Sequence, residues 1–154
     1  MLSMNNKLLI DTISSYFLEN EHYEEVTVLS NASAIIKQLF PRINWVGFYL
    51  LKDGTLKLGP FQGKPACMHI PLNKGVCGYC ARTMKSIVVD NVHEFVDHIA
   101  CDSESKSELV IPIIINDSLY GLLDIDSPEY SRFSNDDLKT FESIVNIIIN
   151  IIKK

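Results

Sequence analysis

Residues 43–61 read INWVGFYLLKDGTLKLGPF and predict a β-hairpin. The run from Ile43 to Leu51 alternates in hydrophobicity and is rich in β-branched and aromatic residues, which is typical of a half-buried strand. Lys52-Asp53-Gly54 is a turn sequence, and Thr55 to Phe61 returns as the partner strand. Strands joined by so short a turn pair antiparallel. The sequence therefore predicts an antiparallel sheet.

Further strands follow the hairpin. Ala66 to Leu72 predicts a third short strand, and Gly75 to Thr83 predicts a short helix. Ile87 to Val89 is extended, and a second hairpin pairs Leu109 to Ile115 with Leu119 to Ile125. Between them, residues 90–107 show no sustained periodicity, which indicates a long loop of functional interest.

Helices flank these strands. Apolar residues recur at helical spacing in two early segments, at Leu9, Ile13, Tyr16 and Phe17, and at Val28, Leu29, Ala32, Ile35, Ile36 and Leu39. The second helix should end before Pro41. Ser134, with Asp137 three residues later, predicts a capping box for a final helix. Helices around an antiparallel sheet indicate an α+β fold, with residues 1–154 as a single domain.

Composition excludes several function classes. The net charge of −5 argues against binding to nucleic acid or anionic lipid. The N-terminus shows no signal peptide, and the apolar run from Ile144 to Ile152 is too short to span a bilayer, so we expect a cytoplasmic protein with reduced thiols. From Ile144 the last helix is apolar on more than one face, which fits either deep burial or a dimer interface shared with the first helix.

Thiols and carboxylates suggest redox chemistry on a small molecule. Cys67, Cys77 and Cys101 are spread over the middle of the chain, and Asp124 and Asp126 lie two apart on a predicted buried strand. Side chains two apart share a strand face, roughly 6.5–7 Å between Cα atoms. Glu108 begins the preceding hairpin strand and should lie across from them. Three carboxylates on one face need compensation, which a substrate ammonium would provide.

Six short motifs occur in order along the chain. They are NWVGFY (44–49), LGPFQG (58–63), GVCG (75–78), HIACD (98–102), KSE (106–108) and LDID (123–126). Together they resemble those of free methionine-(R)-sulfoxide reductases, which are GAF-domain enzymes. The resemblance runs from about the second helix to the last helix.

This resemblance implies a fold and a reaction. The fold is GAF-like: a six-stranded antiparallel sheet with the N- and C-terminal helices on one face and a small ligand pocket on the other. The activity is thiol-dependent reduction of free L-methionine-(R)-sulfoxide to L-methionine through a cysteine sulfenic acid and a disulfide. Thioredoxin is the implied reductant, and the family typically forms homodimers. Neither a cofactor nor a metal is expected.

The residues alone leave all three pairings of Cys67, Cys77 and Cys101 open. The resemblance implies a role for each of them. Cys101 matches the family's nucleophile, Cys67 the principal resolving cysteine, and Cys77 a second resolving cysteine that can exchange with it. His98, next to the nucleophile, is expected to be an exposed loop residue, with tuning of the thiolate as the alternative.

Acids and aromatic residues complete the expected site. Glu108 and Asp126 are assigned to activation of the sulfoxide, since its oxygen leaves more easily when protonated. Asp124 is assigned to pocket polarity or to binding the ammonium group. Trp45 and Tyr49 should line the pocket, with the indole packed on the substrate's methyl group and sulfur. Backbone amides of residues 90–107 would receive the substrate carboxylate.

Cys80 departs from the family, which generally has a small residue there, and Tyr79 is also larger than its usual counterpart. The interpretation we favour is packing on the inner side of the helix; the alternative is competition with Cys67 for Cys77. Three other functions are alternatives to the reductase. They are a GAF-type sensor without turnover, a thiol protein that senses or reduces peroxide, and a zinc site formed by Cys67, His69, Cys77 and Cys80.

Overall fold

A six-stranded antiparallel sheet lies at the centre of the computed structural model, which describes residues 2–18, 21–96, 99 and 103–153. The helices are α1 (Met4–Tyr16), α2 (Glu25–Leu39), α3 (Gly75–Thr83) and α4 (Asn135–Ile152), with one turn of 3-10 helix at Val92–Glu94. The strands are β1 (Trp45–Lys52), β2 (Thr55–Gln62), β3 (His69–Pro71), β4 (Ile87–Val89), β5 (Ser107–Ile115) and β6 (Ser118–Ser127).

The strand order is β3-β2-β1-β6-β5-β4, and every neighbouring pair is antiparallel. The two predicted hairpins are confirmed as β1–β2 and β5–β6. They join side by side through β1 and β6, where Gly47 pairs with Asp124 and Trp45 with Asp126. This junction brings the aromatic end of the first hairpin beside the acidic end of the second.

Alternating strand residues build one core on each face of the sheet. Val46, Phe48, Leu109 and Ile125 point towards α1, α2 and α4, where the larger core lies. The residues between them point the other way and form a smaller core with α3. The predicted α+β architecture is therefore confirmed, with the terminal helices on one face and a pocket on the other.

The third strand is shorter than predicted. It spans His69–Pro71, because only Thr55, Leu56 and Lys57 of β2 pair with it. Cys67, predicted on this strand, instead lies in the preceding loop, where Leu58 N still donates to Met68 O. Apolar composition alone does not show where a neighbouring strand stops pairing.

The last helix is only half covered by its own chain. Ile144, Val145 and Ile148 are buried in the larger core, while Ile147 and Ile151 are partly buried. The contacts within the chain therefore do not decide between the two predicted roles of this helix. No helix in the described part of the chain is both long and apolar enough to cross a membrane.

A buried carboxylate fixes the start of α4. The predicted capping box is confirmed: Asp137 N donates to Ser134 Oγ, and Ser134 N donates to Asp137 Oδ2. The same carboxylate accepts bonds from Asn6 Nδ2 at 2.9 Å and from Arg132 Nη1 at 3.3 Å. One side chain thus links α1, the loop before α4 and the helix cap.

Asp137→Ala should lower the free energy of unfolding by about 3 kcal/mol, because it removes a helix cap and leaves buried Asn6 and Arg132 groups without their acceptor. Urea denaturation followed by circular dichroism measures this. The control is Asp136→Ala, an exposed carboxylate in the same helical turn, which should cost less than about 1 kcal/mol. Equal losses in the two variants would contradict the role of the buried network.

Candidate active site

The pocket lies on the smaller-core side of the sheet, beneath α3. Strands β1, β5 and β6 and helix α3 each contribute side chains to its lining, including Trp45, Tyr49, Cys77, Glu108, Asp124 and Asp126. The structure therefore brings together six of the seven predicted site residues that it describes. Cys101, the eighth, lies outside the described residues, as does His98.

Helix α3 reaches the pocket because Gly78 lets it approach the chain after β3. A Cβ at this position would lie 2.9 Å from Leu72 O and 3.0 Å from Pro71 O. No larger side chain fits without moving the helix. The close approach presents Cys77, one residue earlier, to the ends of β5 and β6.

Three carboxyl groups face one another at this end of the sheet. Glu108 pairs directly with Asp126 across β5 and β6, and Asp124 lies two residues along on the same face. Asp124 is 5% exposed and Glu108 is 7% exposed. Burial first, and then the charges of Asp126 and Glu108, raise the pKa of Asp124 well above its usual range. These surroundings therefore favour the protonated form of the Asp124 carboxyl.

Cys77 is a buried thiol held among these acids. Its Sγ donates to Glu108 Oε2 at 3.8 Å. Burial raises the pKa of the thiol well above its usual range, and Asp124 and Glu108 raise it further. Because the thiolate is the nucleophilic form, this environment makes Cys77 a poor attacking group.

The remaining cysteines occupy different environments. Cys67 is half-buried and disulfide-bonded, whereas Cys77 and Cys80 are free thiols. Cys80 is fully buried in the smaller core, and burial with nearby Glu108 raises its pKa to about 12. This burial supports the packing interpretation of Cys80. His69, one of the four residues of the alternative zinc site, is exposed.

Trp45, Tyr49 and Phe61 form an aromatic wall of the pocket region. This wall depends on two residues, Gly47 and Phe61, that were not among the predicted site residues. Trp45 stacks on Phe61 at 5.4 Å and on Tyr49 at 6.0 Å between ring centroids, and its Nε1 donates to Lys64 O. A Cβ on Gly47 would lie 2.7 Å from the indole, so this glycine makes room for the ring. Gly47 lies in the NWVGFY motif and Phe61 in the LGPFQG motif, and these motifs are the sequence feature that could have pointed to them.

Tyr49 ties the wall to the loop that carries Cys67. Its hydroxyl donates to Cys67 O at 2.8 Å, and the side chain is 2% exposed. Burial, followed by the charge of Asp124, raises the pKa of this phenol above its usual range. Tyr49 therefore stays protonated and acts as a donor that positions the Cys67 backbone.

Asp124→Asn should stabilise the protein at neutral and alkaline pH. A buried carboxyl with a raised pKa holds a proton that the unfolded chain releases above about pH 4, so the free energy of unfolding falls as pH rises towards the folded pKa. For one proton, the free energy of unfolding changes by about 1.4 kcal/mol per pH unit. An amide of the same shape does not titrate and so removes this slope. Urea denaturation between pH 6 and 8, under reducing conditions, measures the slope.

The matched control for this prediction is Asp117→Asn in the exposed turn between β5 and β6, which should leave the slope unchanged. An Asp124→Asn variant as pH-dependent as the wild type would show that this carboxyl is ionised in the folded protein.

Comparison with known proteins shows which proteins the chain is similar to. The family model described as GAF domain matches residues 25–152. A protein named free methionine-R-sulfoxide reductase from Escherichia coli is 44% identical over 120 residues, covering 78% of this chain and 73% of that protein. The protein of the same name from Saccharomyces cerevisiae is 46% identical, covering 78% and 71%. The solved structure of fRMsr from Staphylococcus aureus in complex with substrate superimposes with a TM-score of 0.90 at 47% identity, covering 97% of both chains.

Proposed function

The chain belongs to the GAF-domain family of free methionine-R-sulfoxide reductases, and from this membership we propose that it reduces free L-methionine-(R)-sulfoxide to L-methionine. The observation that carries the proposal is the pocket itself: three carboxyl groups and a buried thiol beside an aromatic wall. Among the described residues that line it there is no lysine, arginine or histidine. Such a pocket suits a substrate that brings its own positive charge.

The first step transfers the sulfoxide oxygen to the enzyme. The Cys101 thiolate attacks at the electrophilic sulfur, and the oxygen, which takes up a proton, passes to the cysteine: the sulfur–oxygen bond of the substrate breaks, a sulfur–oxygen bond to Cys101 forms, and methionine leaves with Cys101 as a sulfenic acid. The substrate gains two electrons and the cysteine loses two. The burial of Cys77, which keeps that thiol protonated, supports Cys101 as the attacking residue.

The acids supply the proton that the sulfoxide oxygen needs. We assign this activation to Glu108 and Asp126, which face each other across β5 and β6. The raised pKa of Asp124 favours a role as the proton reservoir of the cluster over permanent pairing with the ammonium group. The cluster's remaining negative charge attracts the ammonium group, and this arrangement favours a free amino acid over a methionine sulfoxide within a protein.

The second step removes the sulfenic acid. The Cys67 thiol condenses with it, water leaves, and a Cys67–Cys101 disulfide forms. Cys67 is disulfide-bonded while Cys77 and Cys80 are free thiols, which supports this pairing. Cys77, which lines the same pocket, would exchange into the disulfide as the second resolving cysteine.

Thioredoxin would then reduce the disulfide by attack of its own thiolate. Cys67 is half-buried and precedes Met68, whose side chain is 74% exposed, whereas Cys77 is only 5% exposed. An external protein thiol therefore reaches the Cys67 side of the pocket more easily. We also propose that the protein forms a homodimer, which would cover the half-exposed face of α4. Its proposed location is the cytoplasm.

The test is NADPH consumption with thioredoxin and thioredoxin reductase, supplied with free (R)- or (S)-sulfoxide separately. We expect turnover of the R epimer alone, with one NADPH per methionine formed. The wild-type protein with methionine sulfoxide inside a peptide is the substrate control and should give no turnover. If folded, reduced protein turns over neither epimer, the site is a ligand sensor. If it turns over both epimers, general thiol peroxidase chemistry is the better account.

A further inference from the structure

The pocket brings one thiol and two carboxyl groups within metal-binding reach of one another. Cys77 Sγ and one carboxylate oxygen each of Glu108 and Asp124 all lie within 4.8 Å of each other, and all three residues are buried. They come from α3, β5 and β6, so tertiary packing assembles the cluster. No single sequence motif contains all three residues.

An unpartnered atom points to an external ligand at this cluster. Asp124 Oδ1 is buried and has no hydrogen-bond partner among the described residues. A buried polar atom without a partner costs free energy, so the site gains when a cation or donor enters. None of the described lining residues is basic, so a cation or donor that enters the pocket would supply a positive charge that these residues do not.

We propose that Cys77, Glu108 and Asp124 bind a thiophilic divalent cation, with Zn²⁺ as the preferred ion. Tetrahedral zinc with usual bond lengths separates a sulfur and an oxygen ligand by roughly 3.6 Å. The distance between Cys77 Sγ and Glu108 Oε2 is 3.8 Å. A thiolate ligand favours zinc over magnesium or calcium, which prefer sites made of oxygen alone.

Three protein ligands would leave the fourth position of a tetrahedral ion for water. Binding displaces the thiol proton and any proton on the Asp124 carboxyl, because thiolate and carboxylate are the ligand forms of these side chains. This ligand set shares only Cys77 with the alternative zinc site of the sequence analysis, which consists of Cys67, His69, Cys77 and Cys80. The ion would occupy the space assigned to the sulfoxide group.

One consequence rests on the proposed function. Zinc would compete with free methionine sulfoxide for the pocket and would hold Cys77 out of disulfide exchange. The protein would then be a reductase that free zinc reversibly inhibits. The metal site itself does not depend on turnover, so its test uses the metal alone.

The experiment titrates reduced, metal-free protein with Co²⁺ in the absence of oxygen. We expect one equivalent to bind with a thiolate-to-cobalt charge-transfer band, and Zn²⁺ to displace it. Cys77→Ser should lose the band, whereas Cys80→Ala and Cys67→Ser, which remove thiols outside the cluster, should keep it. A folded wild-type protein without the band, or a Cys77→Ser variant that keeps it, would overturn the proposal.

Glu108→Gln provides a second variant that keeps the thiol, in case Cys77→Ser does not fold. It should retain the band but bind Co²⁺ at least about tenfold more weakly, since losing even an outer-shell partner costs 10–100-fold. Unchanged affinity would rule out the cluster. A full cobalt band, together with no reductase activity in the same protein after the metal has been removed, would instead reject the proposed function and leave the metal site standing.

Discussion

Cys101→Ser is expected to abolish turnover of free L-methionine-(R)-sulfoxide, with kcat reduced at least about 1000-fold. A serine hydroxyl is not ionised at neutral pH and does not form a sulfenic acid. The NADPH-coupled assay measures the loss. Substrate binding should persist, and the chain offers a direct probe of it, because its single tryptophan is Trp45 in the pocket wall. Fluorescence titration with the sulfoxide therefore separates lost chemistry from lost binding.

Two other cysteine variants sharpen this prediction. Cys80→Ala, the control for a buried thiol outside the pocket lining, should keep wild-type turnover. Cys67→Ser should release one methionine per protomer in a first turnover and then continue slowly, because the sulfenic acid forms but its resolving thiol is missing. Full activity of Cys101→Ser would transfer the nucleophilic role to Cys67 or Cys77.

Glu108→Gln is expected to lower kcat by about 10²–10⁴, the usual contribution of a positioned general acid. The amide keeps the size of the side chain and cannot pass a proton to the sulfoxide oxygen. The change also removes the carboxylate that accepts from Cys77 Sγ, so the pH profile of kcat should shift together with its magnitude. Initial rates across pH 6 to 9, with saturating sulfoxide, measure both effects.

Glu142→Gln is the matched control, since Glu142 lies exposed on α4 and accepts a hydrogen bond from Ser86. It should leave kcat and its pH profile unchanged. Asp126→Asn, across the strand pair from Glu108, should lose activity to a similar degree. If Glu108→Gln keeps kcat within about threefold, the proton must come from Asp124 or Asp126 alone.

Local signals were sufficient for most elements of the fold. Alternation and a turn sequence gave β1 and β2, and the Ser134 and Asp137 pair marked the start of α4 to the residue. Period-two geometry also placed Asp124 and Asp126 on one strand face, where the structure has them. Each of these features depends on residues close together in the chain, which is why a single sequence reveals them.

Features that depend on pairing partners were less accessible. The third strand was predicted over seven residues, yet only His69–Pro71 pairs, because the length of an edge strand is set by its neighbour. This moved Cys67 into a loop, where Tyr49 holds its carbonyl oxygen. Gly47 and Phe61 were missed for a similar reason: their role is to accommodate the Trp45 ring, a contact across strands.

The sequence by itself determined the family, the antiparallel hairpins, the cap of the last helix and the list of thiols and acids that chemistry could use. Only the tertiary structure decided how those groups act on one another. Packing α3 against β5 and β6 buries Cys77 beside Glu108 and leaves an oxygen of Asp124 with no hydrogen-bond partner in the described part of the chain. Burial, followed by the charges of the neighbouring acids, raises the pKa of both Cys77 and Asp124. The physical reason is that desolvation and Coulomb interactions depend on distances in space, which the order of residues does not contain.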